Sequence, residues 1–180
     1  MSGRPQIALI GFMGSGKTTV GALLALELGY TFLDLDHALA ERAGMSIPEI
    51  FAREGEAGFR RRERSLLLEL GDQPGRVLAT GGGIVLEPEN VTFLRRHGLV
   101  VALTADLPEI LARIGGGEGR PLLRGPDPVS AAAALWSARE PLYRGAADLI
   151  VDTKGLAPPE VARKIADWYR MARREDGSGA

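Results

Sequence analysis

Short apolar runs alternate with longer amphipathic stretches along this chain. Residues 7–10, 31–35, 77–79, 99–103 and 149–151 are of strand length and apolar enough to be buried on both faces. Between them, residues 18–28, 46–53, 56–70, 88–95, 107–114, 129–139 and 159–173 carry apolar side chains at helical spacing. Five strands alternating with helices predict an α/β architecture, a parallel sheet covered on both faces. At 180 residues the chain is expected to form one domain, over 1–173, with lid-like residues at about 113–125. The last stretch, "REDGSGA" (174–180), is expected to be a disordered tail.

Charge changes this picture little. There are 22 basic and 23 acidic residues, for a formal net charge of -1, so no broad field draws the protein to nucleic acid or to an anionic membrane. The absence of cysteine excludes disulfides, thiolate catalysis and Cys-based zinc sites, and fits a reducing cytoplasm. No apolar run approaches the roughly 18 residues needed to span a bilayer, and the first residues do not resemble a signal peptide. The expectation is a soluble, cytoplasmic, monomeric protein whose partners are small molecules. His37 and His97 have no companion ligands at metal-site spacing.

The chemistry is concentrated in a few motifs. "GFMGSGKT" follows the first strand and opens the first helix, matching G-x-x-x-x-G-K-[ST] with Gly11, Gly16, Lys17 and Thr18 in place. Its glycines let backbone N–H groups turn inward around an anion, at the positive end of the following helix. Lys17 would reach the outer phosphates and Thr18 would offer its hydroxyl to Mg²⁺. The second strand ends "FLDLD"; in extended backbone Asp34 and Asp36 point to one side, over the cleft at the carboxyl ends of the strands. One could serve the metal and the other an acceptor hydroxyl. The alternative is that Asp36 caps a helix beginning at His37.

The third strand leads into "TGGG", where a Walker B carboxylate would often stand. Bare backbone there can approach a substrate or phosphate closely, unless the triplet is only a turn. "GFRRRE" places Arg60 and Glu63 on one helix face, so that Glu63 can orient Arg60. Inward arginines predict an anionic acceptor, since the guanidinium fork suits a carboxylate, whereas outward ones would only be solvated. "RIGGGEGRPLLRGPDP", rich in glycine and proline between helical stretches, is either a lid or a plain connector.

Taken together, "GFMGSGKTTVG", "DLD", "FRRRE", "TGGG", "RPLL" and "AREPLY" occur in the order and rough spacing found in bacterial shikimate kinases, and residues from about 4 to 168 resemble that family. The resemblance implies a three-layer P-loop kinase fold with a five-stranded parallel sheet of order 2-3-1-4-5. It implies the reaction of ATP with shikimate to give ADP and shikimate 3-phosphate, on the route to chorismate and the aromatic amino acids. Carried over by residue, Gly14, Ser15, Gly16, Lys17, Thr18 and Thr19 would bind ATP. Thr18 and, through water, Asp34 would support Mg²⁺. Asp36 would hold the acceptor hydroxyls and draw the proton from the 3-hydroxyl, while Arg60 and Arg139 would bind the shikimate carboxylate. Gly81, Gly82 and Gly83 would line the substrate pocket, Arg120 would reach the transferring phosphate and Arg113 would lie near adenine. After the last strand, where some relatives place an arginine near adenine, this chain reads "DTKGLAP". A kinase for another hydroxy acid such as gluconate, and a non-catalytic nucleotide-binding module, are the rival readings.

Overall fold

The computed structural model describes residues 5–115, 121–123 and 126–177. Five strands form one sheet: β1 (Gln6–Ile10), β2 (Thr31–Asp34), β3 (Arg76–Ala79), β4 (Gly98–Thr104) and β5 (Leu149–Asp152). All pairings are parallel, in the order β2-β3-β1-β4-β5. The helices are α1 (Lys17–Leu28), α2 (Leu35–Ala43), α3 (Ile47–Leu70), α4 (Pro88–His97), α5 (Leu107–Ile114), α6 (Pro128–Ala146) and α7 (Pro158–Gly177), with single 3-10 turns at Ile84–Leu86 and Pro121–Leu123.

Alternation along the central strands divides the core in two. Ile7 and Leu9 of β1, with Val77 and Val101 beside them, pack under α1 and α7 against Leu24, Ile165 and Tyr169. Ala8 and Ile10, with Leu78 and Ala102, face the opposite layer and meet Leu35, Ile50, Leu67 and Tyr143. A strand buried on both faces needs apolar residues at every position, which is why β1 reads as an unbroken run rather than an alternating one. The direction in which successive strands are added to the sheet reverses around β1, which lies between β3 and β4; the crevice at its carboxyl end is where open α/β sheets bind ligands.

The element boundaries match the expected ones in part. β2 ends at Asp34, and α2 begins at once with Leu35, so Asp34 and Asp36 do not share a strand face. Asp34, not Asp36, caps the helix: its side chain accepts from the His37 backbone N–H at 3.1 Å. The two helical stretches predicted over 46–53 and 56–70 together form α3, and Gly55, whose φ of 69° and ψ of -178° leave the helical region, breaks it in the gap between them. Helix α7 runs to Gly177, into the stretch expected to be an unstructured tail.

Candidate active site

The nucleotide half of the site grows out of β1. Its last residue feeds Gly11–Gly16, and α1 starts from Gly16, which holds the left-handed conformation (φ 95°) that an N-cap lacking a side chain can adopt. The backbone N–H of Ser15 donates to Phe12 O at 3.2 Å, drawing the loop into a tight turn. Lys17 Nζ lies back along this loop, donating to Gly11 O at 2.8 Å and Phe12 O at 3.0 Å. Thr18 Oγ1 donates to Asp34 Oδ2 at 2.6 Å, joining the first turn of α1 to the end of β2.

A hydroxyl and a carboxylate in contact are hard oxygen donors of the kind Mg²⁺ takes. Among the described residues there is no cluster of three or more His, Cys, Asp or Glu able to hold a metal. Mg²⁺ needs few protein donors, because it usually keeps several waters and takes phosphate oxygens into its coordination sphere. Farther along the loop, Gly14, Ser15, Gly16, Thr19 and Arg113 line a second concavity with Thr153, Leu156 and Pro158. Arg113 stands in the last turn of α5 rather than in a loop. It donates to Thr153 Oγ1 at 3.1 Å and Gly14 O at 3.3 Å, and pairs with Glu109 at 2.5 Å. The "DTKGLAP" segment therefore meets the nucleotide side through Thr153, a contact that no motif in the sequence announces.

The acceptor half is a cleft lined by Asp36, Arg60, Gly81, Gly82, Gly83 and Arg139, with Met13, Ile47, Phe51, Phe59, Pro121 and Leu122 supplying apolar walls. Asp36 enters it from the first turn of α2. Arg60 comes from α3, its guanidinium held by Glu63 at 2.6 Å and Glu56 at 3.3 Å, and Arg139, 4% exposed, comes from α6. The glycine triplet is held from the residue before it and at its middle. Thr80 donates from its backbone N–H and its hydroxyl to Leu9 O at 3.1 and 2.9 Å, and Tyr143 donates its hydroxyl to Gly82 O.

Close approach explains two of the three glycines. A Cβ on Gly83 would lie 2.1 Å from Arg60 Nη2, and one on Gly81 would lie 2.3 Å from Glu63 Oε1 and 2.9 Å from Asp36 Oδ1. The charged side chains thus occupy the volume that any larger residue would need.

The electrostatics of this floor are unusual. Burial pushes the Glu63 carboxyl up to about 7, even though Arg60 beside it pulls the other way, and Asp36 adds to the rise. Burial likewise pushes the Tyr143 hydroxyl up to about 12 against the opposing influence of Arg139. Tyr143 is then a neutral hydrogen-bond donor at any ordinary pH.

The fold therefore brings Lys17, Thr18, Asp34, Asp36, Arg60, Gly81, Gly82, Gly83 and Arg139 to one end of the sheet, with Gly14, Ser15, Gly16, Thr19 and Arg113 beside them. Arg120, expected to reach the transferring phosphate, lies outside the described residues. Sequence reasoning missed Tyr143, although it sits inside the quoted "AREPLY", because nothing local tells that its hydroxyl meets the Gly82 carbonyl in the turn after β3.

Comparison with known proteins agrees with this geometry. A family model described as shikimate kinase matches residues 13–170. The chain is 51% identical over 165 residues to a shikimate kinase of Geobacter sulfurreducens, covering 92% of this chain and 91% of that protein. It also resembles a solved structure, the shikimate kinase from Acinetobacter baumannii in complex with shikimate. That likeness has a TM-score of 0.90 at 42% identity and covers 93% of this chain and 94% of the other. A gluconokinase from Sinorhizobium meliloti is similar with a TM-score of 0.60 at 16% identity, covering 98% of each chain, a likeness of fold alone.

Proposed function

The chain belongs to the shikimate kinase family, and from that premise we infer how its own residues divide the ATP-dependent phosphorylation of the shikimate 3-hydroxyl, a step of chorismate and aromatic amino acid biosynthesis. The observation that carries the assignment is the acceptor cleft. Two arginines from different helices line it together with one aspartate, and bare glycine backbone forms part of its lining. Such a cleft suits a compact hydroxylated carboxylate: the arginines grip the anion bidentately while Asp36 addresses a hydroxyl on the far side of the ring.

The phosphates of ATP lie in the loop of Gly14, Ser15 and Gly16, with Thr18 and Thr19 at the start of α1 and Arg113 on the adenine side. Lys17 leaves the Gly11 and Phe12 carbonyls to meet the outer phosphates. Thr18, with Asp34 through water, would hold Mg²⁺, which when bound offsets charge on the phosphoryl oxygens. Asp36 orients the 3-hydroxyl and accepts its proton as that oxygen bonds to the γ-phosphorus and the bond from phosphorus to the bridging oxygen of ADP breaks. Arg60 and Arg139 bind the carboxylate, and Gly81, Gly82 and Gly83 face the ring. Arg120 is assigned to the transferring phosphate on the family resemblance.

We read the enzyme as a cytoplasmic monomer, and its balanced charge supports the lack of a nucleic-acid or anionic-membrane partner. Among the described residues no helix is long and apolar enough to cross a membrane. An ADP-release assay over shikimate, quinate, gluconate and nucleoside monophosphates tests the assignment. Turnover with shikimate well above the rest is the expected result, and equal or greater turnover with gluconate would overturn it.

A further inference from the structure

Glu63 is the most deeply buried acid in the cleft, 1% exposed, and its two oxygens are treated unequally. Oε2 accepts from Arg60 Nη1 at 2.6 Å, whereas Oε1 has no hydrogen-bond partner among the described residues. Oε1 and Asp36 Oδ1 both lie within 3 Å of the point a Gly81 Cβ would take, so the two carboxyl groups share the space above that glycine. A buried carboxylate oxygen with no donor and a second acid beside it is poorly stabilised as an anion.

The groups facing Glu63 set its balance. Arg60 acts from its own helix, Asp36 from α2, and Arg139 and Tyr143 from α6. The two arginines favour the ionised form; burial and Asp36 favour the neutral one. The same two arginines are those assigned to the substrate carboxylate. An anion arriving on Arg60 and Arg139 adds negative charge next to Glu63 and turns part of the guanidinium charge toward itself, which moves the balance to the neutral side.

We propose that Glu63 is a proton-linked positioning residue, taking a proton from solvent onto Oε1 when an anionic acceptor binds to Arg60 and Arg139 and releasing it when the product leaves. No other bond changes, and the proton is not the one lost by the acceptor hydroxyl. Glu63 acts through Arg60: ionised it anchors the guanidinium in the empty cleft, and neutral it yields that charge to the substrate. Its carboxyl already rests at about 7 in the folded chain, so the exchange falls within the working pH of a cytoplasmic enzyme. The inference rests on the acceptor assignment made above.

The test is calorimetric titration of shikimate into the full-length protein in buffers of different ionisation enthalpy, between about pH 6 and 9. Linkage predicts uptake of up to about one proton, greatest just above pH 7, with affinity weakening by up to roughly tenfold per pH unit through that window. Glu63→Gln keeps an oxygen for Arg60 but cannot titrate, so its uptake vanishes and its affinity profile flattens. A purely structural Glu63 would alter affinity without altering proton number. Zero uptake by the unmodified protein at every pH, or the same uptake in Glu63→Gln, overturns the proposal; the first of these needs no variant to fold. If shikimate is turned over in the ADP-release assay yet binds without a proton, this inference alone fails. If shikimate neither binds nor turns over, the acceptor assignment fails and takes the inference with it.

Discussion

Arg60 and Arg139 reach the same cleft under different constraints. Arg60 is shared with Glu63 and Glu56, while Arg139 is 4% exposed and neighbours the Tyr143 hydroxyl that secures Gly82. Removing Arg139 withdraws a buried cation from the place proposed for the substrate carboxylate. Arg139→Ala is therefore expected to weaken shikimate binding by about 2–5 kcal/mol in a calorimetric titration. Lys17→Ala should leave that affinity nearly intact and abolish ADP release, because Lys17 sits across the phosphate loop. Glu63 makes a separate prediction about stability. Its carboxyl stands at about 7 in the folded chain against an ordinary 4.5, so the folded state holds a proton that the unfolded chain has already released. Stability from this group is complete below about pH 4.5 and is lost as pH rises to about 7, by about 3 kcal/mol. Urea unfolding of the unmodified protein and Glu63→Gln at both ends of the window should show the difference between them moving in the variant's favour as pH rises. An unchanged difference would contradict it. The residues of the loop motif were legible because the chemistry is written into consecutive positions. Asp36 was not placed correctly, because the period of an extended strand ceased to apply after Asp34, which ends β2 and caps α2.

Helix α3 carries Arg60 and Glu63 to the cleft, and its start is secured locally. Ser46 accepts from the Glu49 backbone N–H, and the Glu49 carboxylate accepts from the Ser46 backbone N–H at 2.7 Å, a reciprocal cap. Ser46→Ala should cost about 1 kcal/mol in urea unfolding. Turnover at saturating substrate should be preserved, since Gly55 interrupts the helix between the cap and Arg60. A fall in turnover matching the fall in stability would mean that the two halves of α3 act as one rigid unit. The break was readable as a gap between two amphipathic stretches, and Ser46 as the residue that opens the first. Helix α6 was underestimated for the opposite reason. Pro141 argues for a stop near residue 139, yet the helix continues to Ala146, because the turn beyond the proline buries Tyr143 and Ala146. Packing between distant elements outweighs the hydrogen bond that proline removes, and a one-dimensional pattern does not contain that packing. The short α2 was read only as an alternative, a helix beginning at His37, and it starts two residues earlier because it follows β2 without a connecting turn.

At the scale of the molecule, five strand runs and the helices between them were enough to predict a parallel sheet. The order β2-β3-β1-β4-β5 came from the family resemblance, since spacing along a chain does not say which strands are neighbours. That order places the phosphate loop after β1, the "TGGG" backbone after β3 and the Asp34–Asp36 turn after β2 side by side. The donor and acceptor halves therefore open onto one another: Met13 of the loop lies in the wall of the acceptor cleft, and the Met13 backbone nitrogen is 3.5 Å from the Cβ position of Gly82. Water would otherwise fill the acceptor position and compete for the γ-phosphoryl group. The turn Pro121–Leu123 adds Pro121 and Leu122 to the cleft wall and buries Leu123, and apolar walls of this kind limit the room for water beside a seated substrate. Hydrolysis of ATP in the absence of shikimate should accordingly run at least about a hundredfold below shikimate phosphorylation, the order of effect that positioning of the acceptor commonly supplies. ADP release measured with and without shikimate at fixed ATP checks this, and comparable rates in the two conditions would show that the cleft does not govern which hydroxyl the phosphoryl group meets.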